Sequence, residues 1–310
     1  MAGFVVVGAG GIGRGAAAAL AAQGHEVTMV TRSGTDPGLA GVRAVAADAA
    51  DAQALVRAAD GAQAIVNAMN PSRYYTWERD WPPVAAALLA AAETTGAGLV
   101  TASNLYLYGR VDAPMTERTP VAPNGTKGRV RARMWADALA AHEEGRVRAT
   151  ELRASDYFGP GSSAGTSLLN QYVVARAAAG STVRLVTGVA DAPHSWTYLP
   201  DIGRFAAALA TDDRSWGRAW HVPTEPPRTM REVARDAAAL AGHPEPRVVP
   251  LPRLVKLVAR VAPVVRELDE TAHQFERPFV LDSSAAQSTF GFRATPWDEA
   301  LRATVAAVAG

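Results

Sequence analysis

The chain has no cysteine among its 310 residues, which excludes disulfides, thiolate metal sites and a cysteine nucleophile, and suits a reducing compartment. Nor does one charge dominate. Lys and Arg number 31 against 30 Asp and Glu, so no long-range field draws the chain to nucleic acid or to an anionic bilayer. Long apolar runs are missing too, and the opening "MAGFVVVGAGG" lacks the basic start of a secretory signal. A cytoplasmic protein with no membrane and no nucleic-acid partner is the expectation. The 6 histidines show no H-E-x-x-H spacing and no serine stands in a G-x-S-x-G elbow, so neither a metal site nor a hydrolase triad is expected.

What is present is a pattern. Short β-branched runs ("FVVVG", "EVTMVTR", "AIVNA", "GLVTAS") alternate with alanine-rich helical stretches ("RGAAAALAAQG", "DAQALVRAADG", "WPPVAAALLAAAETTG") through the first half of the chain. Strands of that kind are buried on both faces and helices of that length cross over, so the fold class is α/β, a Rossmann-type doubly wound parallel sheet. A further strand is expected in "VRATELRAS". From Val222 onward prolines recur, which suits a smaller C-terminal substrate lobe. The expected division gives residues 1–155 to the dinucleotide-binding domain, with later returns of the chain near 195–222, and residues 156–194 and 223–310 mainly to the lobe.

Gly8, Gly10 and Gly13 in "VVVGAGGIGRG" are spaced G-x-G-x-x-G between a strand and a helix. Gly8 permits a tight turn, Gly10 lets the backbone approach a pyrophosphate, and Gly13 allows close helix packing, while Gly11 and Ile12 open the helix whose free N–H groups meet the anion. At the end of the second strand an acid would hold a ribose 2′-hydroxyl. Here the turn is Thr31, Arg32 and Ser33, and a guanidinium can pair with a 2′-phosphate, which favours NADP(H) over NAD(H). Asp48 after the third strand is a candidate for the adenine amino group or, equally, a helix N-cap. Asn67 and Asn70, after the fourth, should run beside the ribose and nicotinamide.

The segments "GAGGIG", "VTASNLYLYG", "PMTERTPVAPNG", "ELRASDYFGPG" and "SWTYLPDIGRFAAALA", in that order, resemble the NAD-dependent epimerase/dehydratase family, the extended short-chain dehydrogenases/reductases. The resemblance implies a sheet of about seven strands, a small C-terminal lobe, and a site at the sheet's carboxyl edge. It also exposes departures. Counting back four residues from Tyr108-Gly109, where the family has a catalytic Ser/Thr, gives Asn104, with Ser103 just before it. Asn104 can donate to a substrate carbonyl but shares no hydroxyl proton. The family's Tyr-x-x-x-Lys, framed from Pro123, falls on Lys127 and Arg131, and no tyrosine occurs between Tyr108 and Tyr157.

That frame bears on the cationic run "TKGRVRAR". On a helix, a spacing of two turns side chains through about 200° per step, so Lys127 and Arg131 share one face and Arg129 and Arg133 another. One pair can face the cofactor while the other meets solvent or an acid such as Asp137. The resemblance gives Arg131 the nicotinamide ribose; Lys127, or failing that Asp156 or a nearby tyrosine, handles the proton. Tyr74, Tyr75, Trp77, Tyr106, Tyr108 and Tyr157 are candidate substrate contacts near the strand ends, and so is His194, which stands where nucleotide-sugar enzymes of the family carry an arginine.

The expected activity is an NADP(H)-dependent oxidoreductase or epimerase acting on a small organic carbonyl compound, with non-standard catalytic residues. A non-redox lyase, isomerase or cyclase on the same fold, and a non-catalytic NADP-binding sensor, are the alternatives. Monomer and homodimer are both compatible with the sequence.

Overall fold

The computed structural model describes residues 2–71, 73–162, 165–185, 189–251 and 270–309, without the side chain of Tyr74. Seven parallel strands form the central sheet: β1 (Gly3–Val7), β2 (Glu26–Thr31), β3 (Val42–Ala46), β4 (Ala62–Asn67), β5 (Gly98–Asn104), β6 (Ala149–Ala154) and β10 (Ala219–His221). Their order across it is β10-β6-β5-β4-β1-β2-β3. Two short pairs lie outside it: β7 (Tyr157–Phe158) with β9 (Thr197–Tyr198), and β8 (Val183–Leu185) with β11 (Val248–Pro250).

Strand β1 shows why these runs are apolar throughout. Phe4 and Val6 enter one hydrophobic core and Val5 and Val7 the other, because a strand's successive side chains point to opposite faces and helices cover both. Helices α1 (Gly11–Ala22) and α6 (Leu199–Thr211) cover the first face. On the second lie α2 (Ala52–Ala58), α3 (Trp77–Thr95) and α4 (Thr126–Glu143).

The alanine-rich composition has a packing consequence. A methyl group at Gly203 of α6 would lie 2.7 Å from the Gly15 Cα of α1, so these two helices meet backbone to backbone, an approach that larger side chains would prevent.

Helix α3 starts at Trp77, four residues before the "WPP" at which the sequence suggests a helix, and carries Pro82 and Pro83 inside it. Each proline removes one backbone donor. Burial outweighs the loss: Trp77 and Trp81, one turn apart, are both buried and meet edge to face with centroids 6.2 Å apart.

A third core is built from Phe158, Leu169, Trp196, Phe275 and Trp297 among others. The short helix α5 (Ala175–Ala178) packs there through Ala177. So does α7 (Met230–Leu240), opened by a reciprocal cap between Thr229 and Glu232. Among the described residues no helix is long and apolar enough to cross a membrane.

Candidate active site at the carboxyl edge of the sheet

The glycine loop runs from the end of β1 into α1. Gly8 has φ +105°, and a Cβ there would lie 2.9 Å from the Ala68 carbonyl oxygen; at Gly13 it would fall 1.9 Å from the Gly8 carbonyl oxygen. Gly10 is different. It is the N-cap of α1, and a Cβ there would meet nothing within 4 Å. The two packed glycines shape the turn and the open one leaves room above the first-turn N–H groups of Gly11, Ile12 and Gly13, which have no partner within the helix. That arrangement fits a dinucleotide pyrophosphate.

At the end of β2, the Thr31 hydroxyl accepts from the Gly34 N–H at 3.0 Å, which turns the chain back and leaves Arg32 and Ser33 exposed. Asp48 is exposed and accepts from the Ala50 N–H at 2.9 Å; the cap of α2 is Asp51, three residues later, which accepts from the Ala54 N–H. Of the two roles open to Asp48, capping falls to its neighbour.

The cationic run splits by face as its spacing predicts. Arg129 and Arg133 are exposed, and Arg133 pairs with Asp137 at 2.8 Å. Lys127 and Arg131 are buried. The Arg131 guanidinium lies between the Trp77 and Trp81 rings, 4.9 and 4.4 Å from their centroids, and donates to the Ala102 carbonyl and to Asn70 Oδ1, each at 3.3 Å. Two aromatic faces around one desolvated guanidinium make a strong anchor. Arg131 thereby ties α4 to the ends of β4 and β5.

Lys127 is tethered to the lobe. Its Nζ donates to Glu270 Oε2 at 3.2 Å and its backbone N–H to Glu270 Oε1 at 2.7 Å. One carboxylate thus caps the start of α4 and pairs with the lysine. Gly125 makes room for it, since a Cβ there would lie 2.2 Å from Glu270 Cγ. His273, one turn on, places Nε2 at 3.1 Å from the Gly109 carbonyl oxygen, and burial holds its pKa below the usual histidine value.

Asn67 is buried at the end of β4, its Oδ1 accepting from the Met69 N–H. Asn104 ends β5, and its Oδ1 accepts from the Tyr106 N–H at 3.1 Å, leaving the amide Nδ2 as the group it has to offer a substrate. Ser103 is buried beside it. Ala154 at the end of β6 is in register with Asn104, and Asp156 follows two residues beyond that strand end. From there the chain runs back over the glycine loop: a Cβ on Gly11 would lie 2.9 Å from the Gly161 carbonyl oxygen. Asp156 is half-buried and meets His194 Nε2 at 3.0 Å. Burial pushes the neighbouring Tyr157 phenol above its ordinary range.

The aromatic candidates separate. Tyr75 is exposed. Tyr106 is half-buried and stacks on Trp77, which itself covers Arg131. Tyr74 is an expected contact whose side chain lies outside the described residues. Tyr108 is fully buried.

Tyr108 belongs to a buried polar chain that the sequence did not reveal. Arg153 Nε donates to Glu151 Oε1 at 2.7 Å, Arg153 Nη1 donates to the Tyr108 oxygen at 2.6 Å, and that hydroxyl lies 2.8 Å from His221 Nε2. His221 Nδ1 lies 2.8 Å from the Asp282 carbonyl, so it is the donating nitrogen and Nε2 the acceptor. Burial pushes the Glu151 carboxyl up and the His221 imidazole down. Glu151 and Arg153 alternate within "ELRA" on a strand with no exposed face, a spacing that puts both on one side. That spacing was the one available signal.

A family model for the NAD dependent epimerase/dehydratase family matches residues 4–222. The chain belongs to that family. No curated protein matches the sequence at a significant level. Among solved structures, an assigned epimerase of Burkholderia cenocepacia J2315 superposes with a TM-score of 0.79 at 23% identity, over 99% of this chain and 98% of that one. UDP-glucose 4-epimerase of Thermus thermophilus, solved with NAD, gives 0.77 at 20% over 99% of each chain. A dTDP-glucose 4,6-dehydratase of Streptomyces venezuelae, solved as a double mutant with NAD bound, gives 0.76 at 21% over 99% and 96%. The family member described here is therefore an epimerase/dehydratase-type chain with a nucleotide-binding Rossmann sheet, and a nicotinamide dinucleotide is the cofactor class of the family.

Proposed function

We propose that this chain is an NADP(H)-dependent oxidoreductase or epimerase acting on a small organic carbonyl compound. The observation that carries this reading is the open space above Gly10 at the α1 N-terminus, with Arg32 rather than an acid exposed at the end of β2. The first-turn N–H groups of α1 hold the pyrophosphate, and Arg32 with Ser33 pairs with the 2′-phosphate. When bound, the nicotinamide supplies hydride transfer. Asn104 donates from Nδ2 to the substrate oxygen and so stabilises negative charge developing there. Arg131 holds Asn70 and the Ala102 carbonyl in place beside the cofactor.

Titrating the protein with NADPH and NADH tests this reading. A charge-assisted contact contributes about 1.5–3 kcal/mol, so Arg32→Ala should weaken NADPH roughly 10- to 100-fold and leave NADH unchanged. Equal affinities for NADPH in the variant and the parent would remove Arg32 from the site.

One observation favours a second reading, a non-redox lyase, isomerase or cyclase: the side chain in the family's tyrosine position is an ion-paired lysine. Product formation from a carbonyl substrate by protein stripped of all nicotinamide cofactor would select it.

A further inference from the structure

His194 is 2% exposed and lies flat against Trp196, with ring centroids 4.0 Å apart and planes at 26°. Phe275 covers it in parallel at 5.1 Å. The orientation is thus set by packing, and it aims each ring nitrogen at an oxygen. Nδ1 lies 3.1 Å from the Gln274 carbonyl and Nε2 lies 3.0 Å from Asp156 Oδ2. A carbonyl and a carboxylate can only accept. A neutral imidazole has one N–H, so one of the two contacts would set lone pair against lone pair. Both close when Nδ1 donates to the Gln274 carbonyl and a proton lies between Nε2 and Asp156 Oδ2, on either atom.

Asp156 faces the other way as well. Its side chain keeps 24% of its surface exposed, two residues beyond Ala154, which is in register with Asn104 at the carboxyl end of the sheet, and on the segment that returns over the glycine loop. Its backbone is fixed, because its carbonyl accepts from the Thr197 N–H at 3.0 Å. A packed ring in contact with a partly exposed carboxylate can hold a proton between them with one open side.

We propose that Asp156 is the general acid and base of this active site, with His194 as the residue that positions it and supplies its proton. The inference rests on the reading above that the cleft at the carboxyl edge is the active site. In the reducing direction, the carbonyl carbon receives a hydride from NADPH and the carbonyl oxygen receives a proton from Asp156 Oδ2. His194 Nε2 gives that proton to Asp156, and solvent at the exposed edge restores it. Oxidation of an alcohol runs the same steps backwards. The arrangement supplies the proton chemistry that the absent phenol would have performed, and it leaves Lys127, which is 1% exposed and held by Glu270, as a structural tether.

The test joins spectroscopy to kinetics on the full chain. Nitrogen-15 correlation spectra of the histidine rings, with His194 assigned through His194→Gln, should show hydrogen on both His194 nitrogens in the parent protein near neutral pH. Asp156→Asn, whose amide donates to Nε2, should leave hydrogen on Nδ1 alone. General acid–base groups contribute typically about 10²–10⁴-fold, so Asp156→Asn and His194→Gln should each lower kcat for carbonyl-dependent NADPH oxidation at least roughly 100-fold, with NADPH affinity within about twofold of the parent. A singly protonated ring in the parent protein, or undiminished kcat in Asp156→Asn, overturns the proposal. Failure of the parent to bind NADPH overturns instead the functional reading, while the ring spectra still report on the pair.

Discussion

Replacing Tyr108 by phenylalanine deletes one oxygen atom from the buried chain and leaves two partners without it. Arg153 Nη1 loses its acceptor and His221 Nε2 loses its donor, at sites where Arg153 is 2% exposed and His221 0%. The phenyl ring stays, so no large cavity opens. Each buried polar group left unsatisfied costs about 1–3 kcal/mol, which puts Tyr108→Phe at roughly 2–6 kcal/mol, a large share of the ~5–15 kcal/mol that holds a typical domain together. The urea midpoint should fall accordingly with little change in slope. Tyr108→Phe combined with His221→Leu should cost less than the sum of the two single changes, since both break one hydrogen bond. NADPH affinity of the folded variant should match the parent, because the hydroxyl is buried and taken up by Arg153 and His221. A destabilisation below about 0.5 kcal/mol, within the range of ordinary surface changes, would refute the reasoning, as would a raised KM with stability intact.

The glycine loop offers a paired contrast: Gly13→Ala, with its Cβ 1.9 Å from a carbonyl oxygen, should disrupt the turn and abolish cofactor binding, whereas Gly10→Ala should fold normally and bind NADPH at least roughly tenfold more weakly. Thermal melts and fluorescence titrations distinguish the two, and equal melting points would count against the packing argument. Gly125→Ala should displace the Glu270 carboxylate and so mimic Glu270→Gln, each lowering stability by about 1–2 kcal/mol; additive losses in the double variant would show that the two act separately. Stability should also depend on pH in a defined direction. Burial holds His221 and His273 below the ordinary histidine value of 6.5, so the unfolded chain binds more protons as pH falls below about 6.5 and the folded chain is favoured above it. Acid destabilisation of the urea midpoint between pH 7.5 and 5.5 should therefore be weaker in His273→Gln than in the parent, by up to about 1.4 kcal/mol per pH unit, and identical pH profiles would contradict the assigned burial.

Much of this architecture is written in local pattern. Unbroken apolar runs separated by alanine-rich helices allow only a sheet covered on both faces, because strands such as β1 send alternate side chains to two different cores. The spacing of Gly8, Gly10 and Gly13 specifies a turn whose purpose follows from sterics alone, and the interval of four between Lys127 and Arg131 fixes that they share a face. None of that needed tertiary contacts. What each face meets is another matter, for it is set by residues far away in the chain. Glu270 reaches Lys127 across 143 positions, Trp77 and Trp81 close on Arg131 from a different helix, and His194 finds Asp156 across 38 positions. The same holds for Tyr108, whose place beside the strand-end aromatics suggests a pocket, and whose hydroxyl is instead consumed by Arg153 and His221. Periodicity constrains direction because it is a property of the backbone; partner identity depends on which distant segments the packed cores bring within hydrogen-bond reach, and only the tertiary structure decides that.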